Sequence, residues 1–237
     1  RIHELLFMLE AYCHKWLRSY EKIDLFLVPS RFYADLISMR IPKEKIRILR
    51  NGVELKEYVP TYEDEGHALY FGRLSKEKGI ETLLKAHQDI AKEIPLKIVG
   101  TGLIEDELKA KYPRAEFLGY RTGEELKYLV ARASFVVVPS ECYENCSMAV
   151  LEAMALGKPI IASRIGGLPE QVEDGRTGLL FEMGNVEELR EKMLYLWKNK
   201  DLRIKMGREA RKKVEREFSL EKHCKELLKI YEEILYN

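Results

Sequence analysis

The sequence predicts an α/β fold: a doubly wound parallel sheet, Rossmann-like, with helices on both faces. Three observations predict it. Short apolar runs recur at 68–71, 96–99, 115–118, 135–139, 159–162 and 178–181. Helical stretches fall between them, at 80–93, 103–111, 123–132, 147–156 and 168–173. Several of the runs lead into glycine-containing turns rather than hairpin loops. Alternation of this kind over about 120 residues means parallel strands with helical crossovers, buried on both faces.

The elements before and after that region follow in order. Residues 3–20 place Leu5, Leu6, Leu9, Tyr12, Cys13, Trp16, Leu17 and Tyr20 on one helical stripe, best read as a helix packed on a sheet. Its basic and aromatic content also fits a membrane-surface helix, the less favoured reading. The run 24–29, D-L-F-L-V-P, reads as a buried strand. Ser30 then serves as N-cap for a helix through Ser38. A second strand is expected at 46–49, before the turn signal Asn51-Gly52. Residues 55–67 are polar, contain Pro60 and read as a linker. The tail from 186 to 236 reads as three helices, the last with Cys224, Leu227, Leu228, Tyr231 and Leu235 on one face.

Four units follow from this reading. Residues 1–54 are the end of a first Rossmann-like domain, 55–67 a linker, 68–218 a complete second domain, and 219–237 a helix returning toward the first. The chain starts at Arg1 inside a helical pattern, so a fragment of a longer protein is expected.

Composition excludes some classes. The 237 residues are 46% hydrophobic and 33% charged, as expected of a packed globular protein. A net charge of +1 argues against nucleic-acid binding through bulk positive charge. No apolar run reaches the roughly 18 residues a spanning helix needs, and no signal peptide precedes the first helix. Cys13, Cys142, Cys146 and Cys224 form no C-x-x-C pair, so reduced thiols in a cytoplasmic protein are expected and a metal site is not. Abundant Lys and Glu with scarce Asn and Gln favour a thermophilic source.

In doubly wound sheets, ligands sit outside the carboxyl ends of the strands. The first strand of the large domain runs into F-G-R-L-S-K-E-K-G, residues 71–79. Arg73 and Lys78 there suit a diphosphate: Arg offers a planar fork and Lys a point charge. Two solvated surface cations are the bland alternative. The second strand ends in V-G-T-G, where the backbone approaches something closely, but the third glycine of the dinucleotide fingerprint is missing. That omission counts against a dinucleotide-dependent oxidoreductase. The third strand ends in F-L-G-Y-R, residues 117–121.

The segment 138–163 carries the strongest signal. Glu144 lies just before a helix and Glu152 two turns inside it. Eight helical residues at about 1.5 Å each would separate them by on the order of 10 Å, near the sugar-to-ribose span of a nucleotide-sugar. Amides of residues 145–148 would then face the phosphates at a positive helix end. In the alternative reading Glu152 satisfies nearby backbone and Glu144 is solvated.

These segments resemble the retaining glycosyltransferases of the GT-B group called group 1, family four. The E-x7-E pair matches, as do G-R-L-x-K-x-K-G, G-x-G, F-L-G-Y, I-G-G-L-P-E and D-G-x-T-G-L-L-F, in order. V-P-S-R-F and R-N-G-V-E, at 28–32 and 50–54, are similar to the last strands of the family's first domain. The resemblance implies a GT-B fold and transfer from a nucleotide-diphosphate sugar with retention. It assigns Arg73 and Lys78 to the donor diphosphate, with the backbone of Asn145, Cys146 and Ser147. It assigns Glu152 to the ribose and the backbone near Arg121 to the base. Glu144 contacts the donor sugar at the reaction centre. The family commonly has Gly-Phe after the first glutamate, where this chain has Asn145-Cys146-Ser147, leaving the sugar open.

No D-x-D motif occurs, so no obligatory metal or other cofactor is expected. The two glutamates position donor groups and are not a hydrolase carboxylate pair. The implied partners are the nucleotide-sugar and a glycan, lipid-linked or small-molecule acceptor. The implied location is cytoplasmic, with peripheral contact of the full-length enzyme at the inner membrane face. As a fragment, the chain is expected to bind donor but transfer nothing. The remaining alternatives are a nucleotide-sugar epimerase or phosphorylase on the same scaffold, and a non-catalytic binding module. No lysine motif for a phosphorylase cofactor is present.

Overall fold

A computed structural model describes residues 2–236 of the chain, with side-chain environments from residue 5 onward. Arg1 and Asn237, included in the first and last units of the sequence reading, lie outside the described residues.

Two parallel sheets form. The small one pairs β1 (Phe26–Val28) with β2 (Ile46–Ile48). A parallel pair cannot be closed by a tight turn, and α2 (Arg31–Ser38) makes the crossover. Ser30 caps it, accepting from the Tyr33 amide at 3.2 Å. A longer helix, α1 (Ile2–Trp16), precedes this unit.

The large sheet has six strands: β3 (Ala68–Phe71), β4 (Leu96–Val99), β5 (Glu116–Gly119), β6 (Phe135–Val138), β7 (Ile160–Ser163) and β8 (Gly178–Phe181). Their spatial order is β5-β4-β3-β6-β7-β8, all parallel. The sequence predicts a doubly wound sheet without fixing its order; the order found is doubly wound, with its reversal between β3 and β6.

The pleat explains the uninterrupted apolar runs. Successive strand residues point to opposite faces. Ala68, Tyr70, Phe135 and Val137 join one core, with Leu83 and Leu84 of α3 (Ile80–Gln88) and Leu189 and Met193 of α8 (Val186–Lys198). Leu69, Val136 and Val138 join the other, with Val130 of α5 (Gly123–Ala131), Leu151 and Met154 of α6 (Met148–Ala155), and Val214 of α9 (Lys200–Glu217). Each fully buried side chain of this size contributes about 1.5–3 kcal/mol. The shorter helices are α4 (Glu105–Lys111) and α7 (Leu168–Gln171).

Three expectations change. The helical stripe of α1, expected to pack on a sheet, is exposed throughout residues 5–18. The helix expected over 80–93 stops at Gln88, with a turn before Ile94. Residues 55–67 are not a loose tether. They are pinned along the large sheet by Thr61 N–H to the Leu156 carbonyl at 3.2 Å. Lys158 donates to the Glu63 carbonyl at 3.0 Å, and Arg211 to that of Tyr58 at 2.9 Å. Asp64 pairs with Arg203 at 3.2 Å and accepts from the Ser134 hydroxyl at 2.8 Å.

The last helix, α10 (Leu220–Tyr236), starts against the first unit. Val53 donates its amide to the Phe218 carbonyl at 2.9 Å, and its own carbonyl accepts from Leu220 at 3.0 Å. His223 Nδ1 bonds the Arg50 carbonyl at 2.7 Å. Beyond this anchor, Leu228, Tyr231 and Leu235 are exposed, as are Leu5, Phe7, Tyr12 and Trp16 of α1. No described helix is long and apolar enough to cross a membrane.

The Asp64 pair gives a stability test. Burial alone would raise the Asp64 carboxyl; the Ser134 and Arg203 bonds outweigh it and leave it below its ordinary value. The folded acid is therefore the stronger one, so its contribution is present above the ordinary aspartate pKa of about 3.9 and is lost on acidification through the lower folded value. Arg203→Ala leaves a carboxylate largely buried without its cation and should lower unfolding stability by about 3–5 kcal/mol in urea titrations at neutral pH. It should also shift the low-pH loss upward.

Candidate functional site

Doubly wound sheets bind ligands in the crevice outside the strand reversal; here the loops that leave β3 and β6 also touch, Glu141 donating its amide to the Glu77 carbonyl at 2.9 Å. Lys78 comes from the first loop and Glu144 from the second, 66 positions apart in sequence. They meet there: Lys78 Nζ lies 2.6 Å from Glu144 Oε1. The Ser140 hydroxyl donates to the same oxygen at 2.7 Å. The Glu144 side chain is 14% exposed and that of Lys78 33%, so the pair sits at the mouth rather than in the core. Arg73, in the same loop as Lys78, is exposed and in no salt bridge among the described residues.

The glycines of the β4 turn have a structural task. A Cβ on Gly100 would come within 1.9 Å of the Gly72 carbonyl oxygen, and one on Gly102 within 1.9 Å of that of Leu74. What approaches the G-x-G backbone is thus the neighbouring cation-bearing loop, at residues 72–74. Tyr70 fixes that loop from inside, donating its hydroxyl to the Arg73 carbonyl at 2.7 Å. Burial pushes this phenol well above its ordinary pKa, assisted by the Glu144 and Glu77 charges.

The loop bearing Glu144 is held by α7 and the glycines before it. Gly167 donates to the Glu144 carbonyl at 2.6 Å, and a Cβ there would meet the Asn145 carbonyl oxygen at 2.2 Å. Gln171, buried, acts as a two-way splint on Ser147. Its Oε1 accepts from the Ser147 amide at 2.7 Å, and its Nε2 donates to the Ser147 carbonyl at 3.0 Å.

This corrects the expectation that all amides of residues 145–148 face a ligand, because that of Ser147 is already engaged. The amides of Met148 and Ala149 have no partner within the helix, as in any first turn. The Cys146 thiol lies in the core, where burial raises it to about 11; its carbonyl accepts from the Asn51 side chain at 3.4 Å. Asn145 Oδ1 is buried without a partner among the described residues. All four cysteines are free thiols.

Glu152 is elsewhere. Because α6 begins only at Met148, Glu152 stands about one turn inside it rather than two. It faces a cavity of about 260 Å³ shared with Glu57, Tyr58, Thr122, Gly123 and Lys127. Burial holds its carboxyl above the ordinary glutamate range, with Lys127 pulling the other way. Lys127 lies 5.1 Å from the Tyr58 ring centroid and bridges Glu57 at 3.4 Å and Glu124 at 3.0 Å. Arg121 precedes the cavity wall, but its guanidinium turns to Glu125 at 2.6 Å and to the Tyr120 carbonyl at 2.9 Å.

The structure therefore unites Lys78 with Glu144 and sets Glu152 over a separate cavity. Sequence reasoning missed Ser140, Gln171, Tyr58 and Lys127. Tyr58 was hidden by the linker reading. Gln171 follows the I-G-G-L-P-E motif, but nothing local marks its side chain as the partner of a helix start.

A six-stranded parallel sheet wound in both directions, with helices on both faces, defines an open α/β protein of the doubly wound class. The chain belongs to the Glycosyl transferases group 1 family, whose model matches residues 54–213. An uncharacterized glycosyltransferase of Methanocaldococcus jannaschii is 36% identical over 89% of this chain and 60% of its own length. The sulfoquinovosyl transferase of Arabidopsis thaliana is 30% identical over 81% of this chain and 41% of its own. The chain thus spans about 60% or less of the length of these curated relatives. Among solved structures, the Anabaena protein HepE in complex with UDP superposes with a TM-score of 0.80 at 21% identity, over 89% of this chain and 64% of its own. The fold is of the GT-B type.

The Gln171 splint can be tested directly. Gln171→Ala leaves the buried Ser147 amide without its partner, at a cost of about 1–3 kcal/mol. Urea unfolding should show that loss; a change within about 0.5 kcal/mol would mean that water replaces the side chain.

Proposed function

We propose that this chain is the donor-binding part of a retaining glycosyltransferase of the family-four type, which moves a sugar from a nucleotide-diphosphate sugar to an acceptor. The observation that carries the reading is the Lys78–Glu144 pair at the strand reversal, one segment away from the Glu152 cavity. Arg73 and Lys78 take the diphosphate. The amides at the start of α6 add donors from the other side. Glu152 accepts the ribose hydroxyls, and the backbone at Arg121 and Thr122 meets the base. Glu144 contacts the sugar. The cavity facing Glu152 suits a nucleoside in both size and polarity.

The chemistry follows from the charges. A departing nucleoside diphosphate carries negative charge that grows as the glycosidic bond breaks, and fixed cations and helix-end amides stabilise that growth more than the ground state. Binding exchanges one anionic partner of Lys78 for another and releases the Glu144 carboxylate toward the sugar. These protein cations supply the electrostatic role that a metal plays elsewhere, so no obligatory metal is proposed. In the domain arrangement, residues 68–218 hold the donor, while 1–54 and 219–237 belong with an acceptor-binding domain. HepE has been solved with UDP and with UDP-glucose, which supports a nucleotide-sugar as the ligand class.

Calorimetry with nucleosides and nucleoside diphosphates checks the assignment. Replacing Arg73 and Lys78 together by Ala should weaken UDP, GDP or ADP by at least about tenfold, since bonds to charged groups contribute about 1.5–3 kcal/mol each. The matching nucleoside should change by less than about twofold. Equal weakening of both ligands would remove the diphosphate role.

The Glu152 role predicts a pH dependence. Its carboxylate form accepts two hydroxyls, and its folded pKa is raised by burial. Nucleoside affinity should therefore fall on acidification beginning above the ordinary glutamate value of about 4.3. Glu152→Gln should bind more weakly at neutral pH and show no such fall. A nucleoside carries no phosphate to titrate in that range, so a flat wild-type profile would argue against Glu152 as the ribose ligand.

A further inference from the structure

On the hinge side, residues 50–53 of the first unit meet the start of α10, and the Asn51 side chain donates to the Cys146 carbonyl at 3.4 Å. Beside the loop of Glu144, a carboxylate of the large unit reaches the start of α2. Glu170 Oε2 accepts from the Arg31 amide at 3.0 Å and Oε1 from the Phe32 amide at 2.8 Å. These are the first two amides of α2, which no helical partner can satisfy. Ser30 takes the third. The start of α2 is thus capped jointly by its own N-cap residue and by a carboxylate 138 positions away in sequence. A negative charge at this helix end is favoured by the aligned peptide dipoles, and both bonds are charge-assisted.

The same contact brings Phe32 onto Tyr143. Their ring centroids are 4.9 Å apart with planes at 57°, within the range of a favourable aromatic pair. Tyr143 is otherwise 58% exposed and immediately precedes Glu144. Glu170 itself is anchored: its carbonyl accepts from Lys213 Nζ at 2.9 Å, and its amide donates to Gly167, whose own amide holds the Glu144 carbonyl. Short connections thus run from both units to the residue pair at the crevice.

We propose that Glu170 is a positioning residue, a latch whose carboxylate fastens the start of α2 to the large unit and so holds Phe32 against Tyr143, fixing the loop that carries Glu144. The functional meaning rests on the reading of Glu144 as the sugar contact. The latch itself does not, because it is a property of the ligand-free chain. Separating the start of α2 from the large unit requires both amides to leave Glu170 and breaks the Phe32–Tyr143 stack beside Glu144.

Residue-resolved amide exchange on the whole chain tests this. In Glu170→Ala the Arg31 and Phe32 amides should exchange at least about tenfold faster, and that of Gly167, which holds the Glu144 carbonyl, should follow. Glu170→Gln retains one acceptor oxygen and should keep one of the two α2 amides protected; it also serves if the alanine variant does not fold. Phe32→Ala should speed exchange at Gly167 while leaving the first two α2 amides protected. Wild-type exchange rates at residues 31 and 32 in Glu170→Ala would overturn the latch. Unchanged rates at Gly167 in both Glu170→Ala and Phe32→Ala would overturn the positioning role.

A UDP titration of the alanine variant separates loop positioning from general damage. Its affinity should stay within about threefold of wild type, because the diphosphate groups are untouched; a loss beyond about tenfold would overturn the proposal. If wild type binds none of UDP, GDP and ADP, the donor reading fails while the exchange results still decide the latch.

Discussion

Strands β3 and β6 lie side by side, yet the chain winds away from them toward opposite edges of the sheet. The loops at their carboxyl ends leave in opposite directions, and this is where sheets of this kind bind ligands. Here the two loops also touch: Glu141 donates its amide to the Glu77 carbonyl at 2.9 Å, and a Cβ on Gly79 would come within 1.8 Å of the Pro139 carbonyl oxygen. The rest of the site is built around that junction. The β4 turn closes tightly on the β3 loop because two of its residues lack a side chain. The β6 loop lacks a helix of its own for nearly ten residues and is braced from behind by α7. Lys78 and Glu144 then face each other across the opening, each satisfying a charge that the low-dielectric walls would otherwise make expensive.

Much of this was legible in the sequence because it is periodic or local. The runs F-V-V-V and I-I-A-S can be buried on both faces only in a parallel sheet, and the six strands fell within a residue or two of their expected places. Ser30 was readable as a helix cap for the same reason: its partner is three residues away. The residue types at 73, 78, 144 and 152 were also visible, since charges in strand-exit loops carry their chemistry in their identity.

What was not legible depends on partners remote in sequence. Nothing near Gln171 says that it bonds Ser147, and nothing near Asp64 announces Arg203, 139 positions away. The polar stretch 55–67 reads as a tether by composition, yet Lys158, Arg203 and Arg211 reach it from helices and turns of the large unit. The start of α6 moved for a related reason. With its amide and carbonyl tied to Gln171, Ser147 becomes the cap rather than the first helical residue.

The segment from Ile165 to Gln171 spans only seven residues, and it reaches the Glu144 loop, the start of α6 and the start of α2. Its glycines admit no larger side chain without collision at 143–145. Variation in such a chain is channelled. Change has little room in this brace and is left to positions whose side chains project free of it, such as Met148, which is exposed. A library built on this chain would place its diversity at such positions and keep the brace constant, since a change in the brace alters three surfaces at once.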